Sequence, residues 1–249
     1  MMSLRSLLKV LVLVSVFLLL SCRSSSNAII GQRVIAGSGV LAQEVRTFGG
    51  GCTQVLFAVA GDLRVEQGAL EVLRLEAEDN LLGFLESDVA GNTLQIHETN
   101  GVDLNPTMPV QFDLTIAQLI ELTHAGVGRI DIVDLAAPQF SVTMAGVGEL
   151  NATNYSGQTL DATLAGVGDI RVSGSVDSQT VVISGVGDYE GGALASIDAA
   201  VTVSSLGSAT VQVSGSLDVT ISGSGTVYYI GNPVITSHIT GSGSLQKIG

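Results

Sequence analysis

A pair of glycines separated by one residue returns through the second half of this 249-residue chain at intervals of 18 to 20 residues. Six pairs are intact, and in one further pair serine takes the first place: Gly126/Gly128, Gly146/Gly148, Gly166/Gly168, Gly185/Gly187, Ser205/Gly207, Gly223/Gly225 and Gly241/Gly243. A period of this length is typical of a repeat architecture, in which each repeat covers the apolar face of its neighbour. The chain is therefore expected to fold as a stack of similar units.

Apolar residues recur at fixed distances from each glycine pair. Two positions before the pair stand His124, Met144, Leu164, Ile183, Val203, Ile221 and Ile239, and two positions after it stand Ile130, Leu150, Ile170, Tyr189, Ala209, Val227 and Leu245. Because side chains alternate across a strand, this period of two in identical phase places one face of every strand inside a tube. The glycines mark corners where the backbone turns. The pattern predicts an all-β solenoid, or β-helix, with about 20 residues per coil and little helix.

The first half of the chain has no glycine pairs but shows short alternating stretches. Residues 63–66, 72–77 and 93–97 alternate apolar and polar side chains between turn signals. We expect residues 46–121 to form the N-terminal β part of the solenoid domain and residues 122–249 to form its repeat part. Residues 23–45 begin with a run of serines and lack sustained periodicity, which predicts a flexible tether.

Residues 1–22 have the features of a targeting segment. Arg5 and Lys9 precede an apolar run that is too short to span a bilayer, which takes about 20 residues. The run ends in Ser21-Cys22, which resembles a bacterial lipobox. We therefore predict a lipoprotein signal peptide, lipidation of Cys22 and membrane attachment through acyl chains, with outer-membrane sorting favoured by the arginine that follows. Ordinary signal cleavage with an incidental Cys22 is the alternative.

Charge and cysteine content exclude several functional classes. Without residues 1–22 the chain keeps 8 of its 10 basic residues against 23 acidic ones, a net charge of −15. Such a surface repels phosphate backbones, so nucleic acid is not an expected partner. With Cys22 lipidated, Cys52 has no disulfide partner, and we expect it to be a buried, inert thiol rather than a reactive one.

Particular motifs also suggest a family. Residues 79–82 (Asp-Asn-Leu-Leu), residues 91–96 (Gly-Asn-Thr-Leu-Gln-Ile) and the Gly-Val-Gly-Asp turns at 166–169 and 185–188 resemble the bacterial "putative auto-transporter adhesin, head GIN domain" family. The resemblance runs from Phe48 to the end. It implies a right-handed, single-stranded β-helix of parallel strands and an adhesive role, and it carries over no catalytic residue.

Two features of the predicted outer surface are candidates for binding. Stacked coils would place Glu149, Asp169 and Asp188, each following a second glycine, in a carboxylate ladder that either holds a cation weakly or consists of solvated turn residues. Tyr228 is expected to point outward and could stack on a sugar ring, or it is ordinary surface. His124 falls in an inward column and is expected in the core.

The sequence offers no cofactor motif, no catalytic constellation and no Cys/His/carboxylate spacing for a metal, since His97 and His238 are isolated. The last coil has no polar cap, so we expect a second copy or a folded-back segment to cover it, as in a homo-oligomer joined at the C-terminal end.

Together these features predict a lipid-anchored, non-catalytic envelope module that binds a protein or a glycan. A periplasmic structural or regulatory interaction module is the alternative. A polysaccharide-active enzyme is a further one, because β-helices host such activities.

Overall fold

Strands and tight turns make up the part of the chain that the computed structural model describes, residues 33–249. One 3-10 turn, Leu82–Phe84, interrupts them. The strands are β1 Arg33–Ala36, β2 Leu41–Thr47, β3 Gln54–Ala58, β4 Asp62–Gln67, β5 Val72–Glu78, β6 Leu85–Ala90, β7 Thr93–Glu98, β8 Val102–Asn105, β9 Gln111–Ile116, β10 Glu121–His124, β11 Val127–Val133, β12 Gln139–Met144, β13 Val147–Ser156, β14 Thr159–Leu164, β15 Val167–Ile183, β16 Tyr189–Val203, β17 Ala209–Ile221, β18 Thr226–Ile230, β19 Val234–Ile239 and β20 Ser244–Lys247.

The repeat part forms a solenoid with two parallel faces. The front face stacks β10, β12 and β14, then the second halves of β15, β16 and β17, and ends with β19. The back face stacks β11 and β13, then the first halves of β15, β16 and β17, and ends with β18 and β20. The predicted β-solenoid with roughly 20 residues per coil is confirmed.

The stacking register is the one that the glycine period predicts. Gly128 lies opposite Gly148, and Gly148 lies opposite Gly168. The inward columns are buried: Met144, Leu164 and Ile183 expose 1 % of their surface or less. The apolar surface that these columns remove from water is the main stabilising contribution of the interior. Ile239 in β19, at the last position of its column, is instead exposed.

The corners require glycine for two reasons. The second glycines of the first four pairs have positive φ, for example +148° at Gly148, a conformation that L side chains rarely adopt. In addition, a Cβ on Gly148 would overlap the carbonyl oxygen of Gly128 in the preceding coil. Backbone therefore packs directly on backbone at this corner, and the glycine repeat is a geometric requirement of the stack.

The N-terminal part departs from a simple parallel coil. β3 and β4 form the coil below β10 and β11, and the coil below that consists of β7 and β9, which come later in the chain. Antiparallel strands then continue the sheet, with β6 on β7, β5 on β9 and β2 on β5. The parallel order implied by the family resemblance therefore holds for the repeats, while antiparallel strands cover the N-terminal end of the stack.

The segment predicted to be a tether contains two strands. β1 pairs with β8, and β2 pairs with β5 along its whole length. The buried carboxylate of Glu78 accepts hydrogen bonds from the backbone of Gly39 (2.6 Å) and from the backbone and hydroxyl of Thr107 (2.8 and 2.6 Å). The tether prediction is thus wrong for residues 33–45. The signal peptide, Cys22 and residues 23–32 lie outside the described residues.

Candidate binding surface

An exposed apolar ridge runs along the Gly-x-Gly corner. It consists of the residues between the glycines: Val127, Val147, Val167, Val186 and Leu206. Their exposed fractions lie between 49 % and 76 %. Val127 pairs with Val147, Val147 with Val167, and Val167 with Val186, so the side chains follow one another at the strand spacing of about 4.8 Å.

The corner geometry explains why the ridge is exposed. The flanking glycines pack their backbone on the coil below, so the residue between them is left at the outer edge of the corner. Ala60 continues the ridge below Val127, and Ser224 occupies the equivalent position above Leu206. A contiguous row of exposed aliphatic side chains is uncommon on protein surfaces that face water and typically marks a contact site. The sequence interpretation missed this ridge, although the signal was readable as valine or leucine recurring between the paired glycines.

A charged column borders the ridge on the back face and contains the predicted carboxylate ladder. Glu149 lies opposite Asp169 in the stack, and the Asp188 amide donates to Asp169 Oδ1 at 3.0 Å. The Arg171 guanidinium donates to Glu149, to Asp169 at 3.0 Å and to Glu190 at 2.9 Å.

Arg171 thus offsets part of the negative charge of the ladder, through Glu149 and Asp169. Its carboxylates also accept from backbone amides of the next coil, as when the Ser208 amide donates to Asp188 Oδ1 at 2.8 Å. Such contacts tie neighbouring coils together. The weak cation site at Glu149, Asp169 and Asp188 remains a prediction.

Tyr228 is half-buried and lies between Thr210 and Gln246 on the back face. Its neighbour Tyr229 packs against the core, so the two rings point to opposite sides of β18 and Tyr228 points outward, as predicted. A depression of about 380 Å³ lies one coil below, lined by Glu190 and Thr210 among others. Tyr228 and this depression could accommodate part of a ligand on the same face.

A larger depression, of about 550 Å³, opens beside the lower end of the ridge. Its wall includes Val127 and Gly126 from the corner, and Gln95 and His97 from β7. The residues that line it come from three different coils, which is why no sequence spacing indicated it.

Two residues predicted to be buried are in the interior. The Cys52 thiol is buried, and this desolvation raises its pKa, with a further contribution from the negative charge of Glu71. His124 is fully buried beside Phe57, and its burial lowers the pKa of the imidazole. A raised thiol pKa reduces the reactive thiolate form, consistent with an inert Cys52.

Between Arg33 and Gly249, no helix has the length and apolar character needed to cross a bilayer.

The comparisons with known proteins agree with this geometry. The family model described as "Putative auto-transporter adhesin, head GIN domain" matches residues 53–233. A crystal structure of a putative adhesin from Bacteroides fragilis has a TM-score of 0.82 and 21 % sequence identity, covering 86 % of this chain and 100 % of its own. No curated protein matches the chain.

Two proteins from Parabacteroides distasonis have the same fold. One is described as a putative lipid binding protein (TM-score 0.68, 25 % identity), and the match covers 87 % of this chain and 100 % of that one. The other is described as a putative adhesin (TM-score 0.67, 15 % identity), with 86 % and 100 % covered. Because the family model spans most of the chain and its residues form the predicted solenoid, the chain belongs to the "putative auto-transporter adhesin, head GIN domain" family.

Proposed function

We propose that this protein is a non-catalytic binding module of the bacterial cell envelope, held to the outer membrane by a lipid on Cys22. The observation that carries the binding role is the apolar ridge, which presents five exposed aliphatic side chains on a rigid corner. Membership of an adhesin-like family supports the envelope location and a role in contact with another molecule.

The chemistry of the ridge favours a protein partner over a glycan. Sugar rings are commonly held by aromatic side chains, whereas the ridge is built from valine and leucine. Its border carries Glu149, Asp169 and Asp188, and the whole chain has a net charge of −13. A partner with an apolar strip flanked by basic side chains would complement both features. A glycan at Tyr228 is the weaker candidate.

Replacing two central ridge residues tests the proposal. Val147→Thr and Val167→Thr together keep the branched shape suited to a strand but put two hydroxyls into the contact. Val89→Thr is the matched control, because Val89 is a similarly exposed valine on β6, outside the ridge. The measurement is saturation binding of the labelled protein to envelope preparations from the source cells.

The double variant is expected to bind about tenfold more weakly, since a loss of about 1.4 kcal/mol corresponds to that factor. The Val89→Thr protein is expected to bind like the parent. Equal binding by all three proteins would remove the ridge from the proposal, and so would an equal loss in the control.

Lipid anchoring is tested separately at Cys22. In cells fed a labelled fatty acid, the parent protein is expected to incorporate label and the Cys22→Ala protein is not. Label that persists in the variant contradicts lipidation at this cysteine. Protease applied to intact cells then separates two roles, because degradation supports an outward-facing module and protection supports a periplasmic interaction module.

A second copy of the chain is the proposed partner for β19. All residues of β19 are exposed, including Val234, Ile235 and Ile239, and β19 pairs with β17 on one edge within the described residues. Such an edge is a template for strand pairing. The parent protein is expected to be a dimer by light scattering, and Ile235→Lys with Ile239→Lys a monomer; a monomeric parent refutes dimerisation through this edge.

A further inference from the structure

The antiparallel pair β6–β7 brings together three side chains of metal-ligating types, two from β6 and one from β7. Glu86 is directly opposite His97, and Asp88 is two residues along β6 on the same side of the strand. One ligand atom from each residue lies within 4.8 Å of those from the other two. His97, which the sequence analysis described as isolated from other metal-ligating residues, therefore has two such residues beside it in the fold.

Both ring nitrogens of His97 face acceptor oxygens. Nδ1 lies 3.0 Å from the carbonyl oxygen of Glu98, and Nε2 lies 3.3 Å from Asp88 Oδ2. A neutral imidazole has one N–H donor and one acceptor nitrogen, yet both of these neighbours are acceptor oxygens. Either tautomer leaves a nitrogen lone pair facing an oxygen, which is an arrangement that a cation bound between them would complement.

The surrounding groups fit the cation. If Nδ1–H donates to the Glu98 carbonyl, the Nε2 lone pair faces Asp88 Oδ2, and a backbone carbonyl orients the ring in the way that is common for metal-bound histidines. On the other side, the Thr99 hydroxyl donates to Glu86 Oε1 at 2.5 Å, which leaves Oε2 on the side of His97, 3.9 Å from Nδ1. The Glu98 carbonyl and the Thr99 hydroxyl thus orient His97 and Glu86 from outside the three-residue cluster.

The ligand types select the class of ion. One imidazole nitrogen with two carboxylates suits Zn²⁺ and similar transition ions, whereas Ca²⁺ and Mg²⁺ prefer oxygen ligands in larger number. The three side chains keep part of their surface exposed, so water or an outside ligand can complete the coordination. His97 also lines the 550 Å³ depression at the lower end of the ridge. The negative net charge of the chain favours cation binding further.

We propose that Glu86, Asp88 and His97 form a binding site for one Zn²⁺-class divalent cation, with an open coordination position at the rim of that depression. The site is independent of what the ridge binds, because the ion is held by side chains of this chain alone.

Calorimetric titration of Zn²⁺ into the chelator-treated full chain tests the site. At neutral pH we expect one ion per chain and a dissociation constant of roughly 10 μM. His97→Ala is expected to weaken binding at least about 100-fold, and Glu86→Gln or Asp88→Asn about tenfold or more. Co²⁺ as a second probe is expected to give a visible absorption band that is lost in His97→Ala.

His238→Ala is the matched control, because it removes an exposed histidine from β19 at the other end of the stack. It is expected to bind one Zn²⁺ like the parent, and circular dichroism is expected to show all variants folded. The proposal is overturned if the parent shows no saturable binding, if His97→Ala retains it, or if His238→Ala removes it.

Discussion

His124 offers the sharpest test of the interior, because it is a polar side chain in an otherwise apolar column. It stacks between Phe57 and Met144 and is fully buried. Neither imidazole nitrogen has a hydrogen-bond partner, and burial lowers the pKa of the ring. The ring is therefore neutral in the fold, with one N–H donor and one acceptor nitrogen unsatisfied. The perturbation that tests this is His124→Leu, which extends the pattern of Leu164 in the same column.

The size of the effect follows from these unsatisfied groups. Leaving a buried polar group without a partner costs about 1–3 kcal/mol, while a substitution of similar volume in the core costs less than about 1.5 kcal/mol. We therefore expect His124→Leu to raise the free energy of unfolding by about 1–2 kcal/mol near neutral pH. For a domain of this size, each kcal/mol corresponds to about 2–4 °C in Tm.

The pH dependence gives an independent signature. The folded-state pKa of His124 lies below its ordinary value of 6.5, so below that pH the unfolded state binds more protons than the folded state. Protonation then favours unfolding, and stability falls as pH drops. Between about pH 7.5 and about pH 5.5 the parent is expected to lose up to about 1.4 kcal/mol more than the variant.

Urea unfolding followed by far-UV circular dichroism measures both effects, since the chain has no tryptophan. His238→Leu is the control, because this histidine is exposed; it is compared in the Ile235→Lys, Ile239→Lys background, where β19 does not pair with a second copy, and is expected to leave both quantities unchanged. A His124→Leu protein that is less stable than the parent at neutral pH and has the same pH dependence would refute the reasoning that the buried ring is neutral and unpaired.

Three further substitutions probe other parts of the fold. Gly148→Ala is expected to lower the free energy of unfolding by at least about 3 kcal/mol, because it combines a strained φ with overlap on the coil below, whereas Gly83→Ala, in open space, is expected to be neutral by the same unfolding assay. Hydrogen bonds, chiefly from the Thr107 side chain, lower the pKa of Glu78 in the folded state. The ionised carboxylate therefore stabilises the fold above the ordinary pKa of 4.5, and this contribution is lost as the pH falls through the lower folded-state pKa. Glu78→Gln is therefore expected to weaken hydrogen-exchange protection of residues 33–47 near neutral pH and to remove part of the acid sensitivity; unchanged protection contradicts the role of Glu78 in holding this segment. Tyr189→Phe leaves the buried Gln179 oxygen without its donor at 2.9 Å and is expected to cost about 1–3 kcal/mol, measured by urea unfolding; an unchanged midpoint would show that this buried contact contributes nothing.

The local sequence pattern was sufficient to predict the fold of the repeat part, because every coil has the same alternation of side chains and the same glycine spacing. Alternation decides which side chains face inward, and the glycine period decides where the backbone turns and which coil positions coincide. Met144 and Leu164 could be assigned to the core on that basis, and both are buried. The family resemblance rested on two of these glycine turns and on residues 79–82 and 91–96, and it is confirmed by the family match over residues 53–233.

The sequence by itself therefore determined the solenoid, its coil length and its inward columns, since these depend on periods that are visible along the chain. Tertiary structure alone decided the N-terminal cap, in which β7 and β9 lie beneath strands that precede them. It also decided that Arg171 pairs with Glu149 and Asp169 of the carboxylate ladder and that Glu86, Asp88 and His97 converge. The physical reason is that antiparallel pairing and ion pairs between coils depend on which strands become neighbours in the fold. The period of the sequence does not specify those neighbours.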